Sequence, residues 1–245
     1  MSSEVKVVDS RMISAARVPS ARKMAARLTT TVAQANQQTQ GATKKMNDQE
    51  ILNDTLKFHG HRCWASVAGV RVGLAALAAL NAKRAGGTQL YAIIETGEEH
   101  GGMCFGDGVQ YTTGCTFGKG NMRKNPLGKL AVTLIDKDGE RAVRVSYKPT
   151  LQKQIAASSF MQQRSAGISP DEIAEADQME LVNLVWNAPE SDVLTVGPVF
   201  DYPYNWLPEV MGFAKCDRCG ELVAHAYRRV VGDQHLCIPC SGYDR

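Results

Sequence analysis

Residues 58–63 read Phe-His-Gly-His-Arg-Cys, so His59, His61 and Cys63 occupy alternate positions. Alternation by two puts side chains on one side of an extended segment, whereas a helix spreads them around its axis. Two imidazoles and a thiol aimed at one place are soft ligands suited to zinc, copper or iron. Residues 100–121 then form a glycine-dense stretch carrying Cys104, Asp107, Gln110, Cys115, Lys119 and Asn121. Glycine at this density lets backbone approach a ligand and leaves amides free, so a loop closing on the histidine-cysteine trio is expected. It is not a phosphate loop: from Gly114 the run has one residue too few before Gly118-Lys119, and Gly120 replaces the required Ser/Thr. Taken singly, a buried cysteine is a small core residue and His59 a hydrogen-bonded core histidine. The density of ligand types between residues 59 and 121 favours a site, with Cys104 and Cys115 as candidate further ligands of a second transition metal, zinc among them.

The chain ends in a second arrangement, Cys216-x2-Cys219 followed after seventeen residues by Cys237-x2-Cys240. Each pair forms a knuckle aiming two sulfurs inward, and four thiolates complete a closed tetrahedral zinc shell. A segment this short has little core of its own, so the metal supplies much of its stability. With four sulfurs there is no open position, and this zinc is expected to be structural. His225 and His235, between the knuckles, read as surface histidines.

The elements that position these groups follow from pattern. Apolar residues at 51, 52, 56 and 58 behind Asn47 and Asp48 predict a short helix ending at Gly60. A second, Ala/Leu-rich and nearly uncharged, is expected from about Arg62 to Arg84, stopped by Gly86-Gly87. Cys63 would then stand at a helix amino end beside an arginine, which favours its thiolate. Residues 90–95 predict a buried strand, and residues 128–148 a hairpin turning at Lys137-Asp138-Gly139. Ser169, Pro170 and Glu172 read as a capping-box helix start, and residues 192–199 as a further strand. Helix, strands and helix without regular βαβ alternation mean an α+β fold.

Charge places a boundary. Residues 1–46 carry eight Lys/Arg against Glu4 and Asp9, a net of +6, while the chain totals +3, so the remainder carries −3. The basic character belongs to a leader, read as a solvated arm, and nucleic-acid binding by the folded body is not favoured. The partition is a leader at 1–46, a core domain at 47–208 and a finger at 209–245. No apolar run reaches the roughly 18 residues of a spanning helix, and the start lacks the apolar centre of a secretion signal. A cytoplasmic protein without a membrane span is expected. An odd count of seven cysteines argues against a disulfide framework.

The Phe58–Cys63 run, Glu95, and the centre from Asp107-Gly108-Val109-Gln110 to Gly114-Cys115-Thr116-Phe117-Gly118-Lys119 and Asn121 together resemble the FmdE family, one of the component families of formylmethanofuran dehydrogenase. The resemblance spans about residues 50–165, and the four-cysteine end resembles the treble-clef finger of family members. It implies an α+β core with a mixed or antiparallel sheet packed with helices, commonly a homodimer, with a cysteine-containing metal groove. Trp64-Ala65 stands where the family has Pro-Gly, so a large indole replaces a fixed backbone turn at the start of the helix. Three functions are in view. One is an accessory protein handling a metal or cofactor for one-carbon or molybdenum/tungsten enzymes, its ion held by His59, His61, Cys63 and Cys104 or Cys115. In that reading Gln110, Lys119 and Asn121 shape the pocket for a small molecule or cofactor. The second is an enzyme with Cys63 or Cys115 as nucleophile and Glu95 or Asp107 as acid/base. The third is a scaffold that contacts a partner protein through finger and arm.

Overall fold

A computed structural model describes residues 47–204 and 212–243. The leader at 1–46 and the boundary expected at 208/209 lie outside the described residues.

Helix α1 (Asp48–His59) carries Asp48 and Glu50 in its first turn, where the helix dipole favours carboxylates, and buries Ile51, Leu52, Thr55 and Leu56. Gly60 ends it with φ +93°, a conformation that suits glycine alone. The three ligand candidates are therefore not on an extended strand. His59 closes a helix, His61 lies in the turn, and Cys63 is the extended residue (φ −128°, ψ 123°) that caps the next helix, α2 (Trp64–Ala79).

Helix α2 is buried on nearly every side, as its composition demands. It stops five residues before the expected Arg84, because Leu80 closes the last turn and Asn81 turns left-handed (φ 47°), ahead of the glycine pair. Its one charge, Arg71, ties the helix to a neighbour: Nη1 donates to the carbonyls of Val185 (2.8 Å) and Ala188 (2.6 Å), at the end of α6 (Glu175–Asn187).

The glycine-dense stretch is the main correction. Residues expected as a loop form helix α3 (His100–Thr113). Glycine disfavours helix by about 1 kcal/mol per residue, but here it permits close contact with α2. A Cβ on Gly69 would fall 2.2 Å from the Phe105 carbonyl oxygen, and one on Gly108 2.1 Å from that of Ser66. Backbone packed this tightly outweighs the propensity cost. Gly114 (φ 71°) ends the helix.

Strands β1 (Leu90–Ile94), β2 (Met122–Lys124), β3 (Ala131–Asp136), β4 (Arg141–Tyr147) and β5 (Leu194–Asp201) form one sheet in the order β2-β1-β3-β4-β5. Only the β1–β2 pair is parallel, so the sheet is mixed. The β3–β4 hairpin turns where expected, but through four residues, 137–140, with Glu140 rather than the Asp138-Gly139 pair in the left-handed region (φ 47°) and Gly139 N–H donating to Asp136 Oδ1 (3.2 Å). Helix α2 packs on β3, β4 and β5 and against α1, α3 and α6. After β4 come the short helices α4 (Gln152–Ala157) and α5 (Ser159–Ser165), then α6, with α7 (Glu190–Val193) leading into β5. The capping-box start is displaced. Ser169 N–H does donate to Glu172 (3.1 Å), but the Ser169 hydroxyl bonds Asp171, and the helix begins only at Glu175.

The finger follows knuckle, hairpin, helix, the treble-clef order. Cys216 and Cys219 lie in the turn between β6 (Phe213–Lys215) and β7 (Leu222–Ala224). Strands β8 (Arg228–Val231) and β9 (Gln234–Cys237) pair next, and Cys237 caps α8 (Ile238–Ser241), which carries Cys240. Its buried apolar cluster is Cys216, Leu236 and Cys237, with Val223 and Cys240 against it.

Candidate metal centres

The α1–α2 turn and the N-terminal part of α3 bring His59, His61, Cys63 and Cys104 together, with one ligand atom from each lying within 4.8 Å of all the others. Tetrahedral zinc with bonds of about 2.0–2.3 Å separates its ligand atoms by roughly 3.3–3.8 Å, so small side-chain adjustments complete the shell. His59 and His61 rings stand 4.4 Å apart between centroids. Cys63 and Cys104 are buried at 6% and 3% exposure.

His59 carries the clearest signature. Its Nδ1 lies 2.8 Å from Asp107 Oδ2, while its buried Nε2 has no hydrogen-bond partner. An imidazole whose outer nitrogen is held by a carboxylate and whose inner nitrogen is unspent is oriented as a metal ligand. Burial opposes its protonation, but the hydrogen bond to Asp107 and the nearby Cys63 sulfur outweigh that and push the imidazole up to about 9. Cys104 donates to Cys63, which holds the Cys63 thiol well below its ordinary range against the effect of burial, and His59 and His61 add to the lowering. The same bond, with burial, lifts Cys104. One thiolate is thus preformed among two imidazoles, and an ion replaces the remaining protons.

Asp107 is in turn held by Gln110 Nε2 (3.3 Å), whose Oε1 accepts from Phe117 N–H (3.2 Å). The remaining candidates do not join this group. Cys115 is fully buried in the main apolar cluster, its thiol pushed up to about 11 by burial. Lys119 Nζ donates to the carbonyls of Ala85 (3.2 Å) and Gly87 (3.4 Å). Asn121 Nδ2 donates to Gly87 and Leu90 carbonyls and Oδ1 accepts from Thr116 N–H. Both tie the segment after α3 to the one before β1. Glu95 accepts Arg144 Nε (2.6 Å) and Nη2 (2.7 Å), and that pair keeps its carboxyl below the usual range.

Cys216, Cys219, Cys237 and Cys240 form the second group, again within 4.8 Å. Backbone amides of Cys219 and Cys237 directed at the Cys216 sulfur bring its thiol down to about 6. Gly220 (φ 80°) donates to the Cys216 carbonyl (3.0 Å), closing the knuckle.

A family model described as FmdE, molybdenum formylmethanofuran dehydrogenase operon, matches residues 58–195. A curated relative from Archaeoglobus fulgidus, named "Probable S-adenosyl-L-methionine-binding protein", is 29% identical over 217 residues, which cover 82% of this chain and 56% of the relative. The chain thus spans little more than half of that relative's length. A crystal structure of a tungsten formylmethanofuran dehydrogenase FmdE-like protein from Syntrophus aciditrophicus is 21% identical at a TM-score of 0.45, covering 80% of this chain and 93% of the other.

Proposed function

From the chain's membership of the FmdE family, to which it belongs over residues 58–195, we propose that it is a metal-handling accessory protein serving one-carbon or molybdenum/tungsten enzymes. The observation that carries this reading is the unpartnered Nε2 of His59, which belongs to a group of two imidazoles and two thiols. Two nitrogens and two sulfurs suit a borderline-soft ion, zinc first, and a second zinc in the finger is structural.

An ion in the core site would supply Lewis acidity or simply a bound cargo. The chain's own residues hold it: Asp107 fixes the His59 tautomer, and the Cys104–Cys63 contact keeps a thiolate ready. A four-ligand shell favours holding over catalysis. The acid/base roles open to Glu95 and Asp107 are disfavoured as well, since Arg144 and His59 already occupy them. The reading includes a homodimer, as the family resemblance implies, and a cytoplasmic location. Among the described residues no helix is long and apolar enough to cross a membrane.

Metal analysis of the full chain tests the reading. We expect two ions per chain in the wild type and one each in Cys63→Ala and Cys216→Ala. Cobalt substituted into Cys216→Ala should show sulfur-to-metal charge transfer from a mixed nitrogen/sulfur tetrahedron. An unchanged metal content in Cys63→Ala removes the core site and the accessory role with it.

A further inference from the structure

Cys63 and Cys104 face each other across the α2–α3 contact. Both thiols are free, and their sulfurs lie within 4.8 Å of each other. We propose that this pair is a reversible modification site, oxidised by hydrogen peroxide to a Cys63–Cys104 disulfide that releases the core ion. The inference rests on the metal-handling reading and adds a regulation to it. The ion is held while the pair is reduced and given up when it is oxidised.

The backbone under the two sulfurs is fixed. Gly69 and Gly108 let α2 and α3 touch main chain to main chain, at the carbonyls of Phe105, which follows Cys104, and of Ser66, one turn after Cys63. The Cys63 carbonyl accepts from Ser66 Oγ (2.8 Å) and Val67 N–H (3.2 Å). Thiols presented this way react as an intramolecular pair, at an effective concentration far above that of a thiol in solution. A disulfide needs its sulfurs about 2.05 Å apart, a closure that side-chain rotation supplies from the separation seen here. Half-buried His61 leaves a side from which a water-sized oxidant reaches the pair. Cys115 is fully buried in the main apolar cluster and has no part in the group.

Cys63 stands at the amino end of α2, which makes it the first nucleophile. Its sulfur attacks one peroxide oxygen. An S–O bond forms, the O–O bond breaks, and the other oxygen leaves as hydroxide and takes up a proton. The Cys104 sulfur then attacks the Cys63 sulfur. The S–S bond forms, the S–O bond breaks, and the hydroxyl leaves and becomes a second water. The two sulfurs give up two electrons, and one peroxide is reduced to two waters. The two protons come from the thiols themselves in the ion-free protein and from solvent where an ion has displaced them. Because thiolates are the ligands, the disulfide leaves only two imidazoles, too few for a four-coordinate ion. A dithiol reverses the step by thiol–disulfide exchange, whereas a thiol oxidised without a neighbour proceeds to irreversible sulfinic acid.

Peptide mapping of the zinc-loaded full chain after a stoichiometric pulse of hydrogen peroxide tests this, with free thiols alkylated and released zinc measured. We expect a cross-linked peptide joining Cys63 to Cys104, lighter by two hydrogens, with Cys115 alkylated and one core ion released per bridge. Cys63→Ala, which retains only the finger ion, sets the release due to the finger. Dithiothreitol should remove the bridge and restore binding of added zinc. Cys104→Ser keeps a donor beside Cys63 but no second sulfur, so it should accumulate a Cys63 sulfenic acid that dimedone traps and that the wild type does not accumulate. A bridge from Cys63 or Cys104 to another cysteine as the main product, or an ion retained by the bridged protein, overturns the proposal. A core ion present before the pulse with no bridge after it also overturns it and leaves the metal reading standing. No core ion before the pulse removes both.

Discussion

His59 shows how a single side chain can carry two instructions. Its Nδ1 is committed to Asp107, which leaves Nε2 to face Cys63, Cys104 and His61. The neighbouring carboxylate fixes ring orientation and raises the basicity of the inner nitrogen. Asp107→Asn keeps the shape of that contact and removes its charge. We expect core-site metal affinity to fall about 10- to 100-fold, measured by competition with a chromophoric chelator, while the finger retains its ion. At this scale the chemistry was partly legible in the sequence, since the ligand types and their crowding were plain. The partition between Cys104 and Cys115 was not. Cys104, Asp107 and Gln110 recur at every third residue and share a helix face, whereas Cys115 lies beyond the left-handed Gly114 and turns into the core. Phe105, Val109 and Thr112 or Thr113 carried the helical period that would have shown this, but the glycines masked it.

Those glycines matter at the scale of elements. Helix α3 presents Cys104 and Asp107, and α2 begins at Cys63, so the site is only as accurate as the seating of one helix on the other. Gly108→Ala puts a methyl 2.1 Å from the Ser66 carbonyl oxygen and 2.8 Å from the Val70 nitrogen, both backbone atoms that cannot swing aside. Overpacking of this kind costs about 1–3 kcal/mol or more. We expect a lower urea midpoint and a weakened core site in the same variant. Gly101→Ala, where an added Cβ meets nothing within 4 Å, should leave the core site's metal affinity intact. A Gly108→Ala protein with wild-type stability and metal affinity would contradict the packing argument. The hairpin and strands β1 and β5 were readable because turn chemistry and β-branched runs act locally, whereas the three-residue β2 was not. Helix α3 was not, because its stability comes from contacts across the chain.

In the whole molecule, core and finger draw on different sources of stability. The main buried cluster runs from Leu52 to Leu194 and includes no residue of the finger, whose own apolar cluster has Leu236 as its one fully buried aliphatic side chain. Cys216→Ser should therefore open residues 212–243 to protease, while the unfolding midpoint of the core stays within error of wild type. A cleavage pattern matching the wild type would mean that the finger holds without its ion. The spacing of four cysteines announced this module, because knuckle geometry is set by residues two apart and by the metal. An α+β core was likewise written into patterning and turn residues, and so were the kinds of atom available for chemistry. Only the tertiary structure decided which of them meet. It put Glu95 against Arg144, set Lys119 and Asn121 to holding loops, and gathered two histidines and two cysteines from three helices and a turn. The physical reason is that convergence depends on the phase and seating of packed helices, set by backbone contacts between residues far apart in the chain.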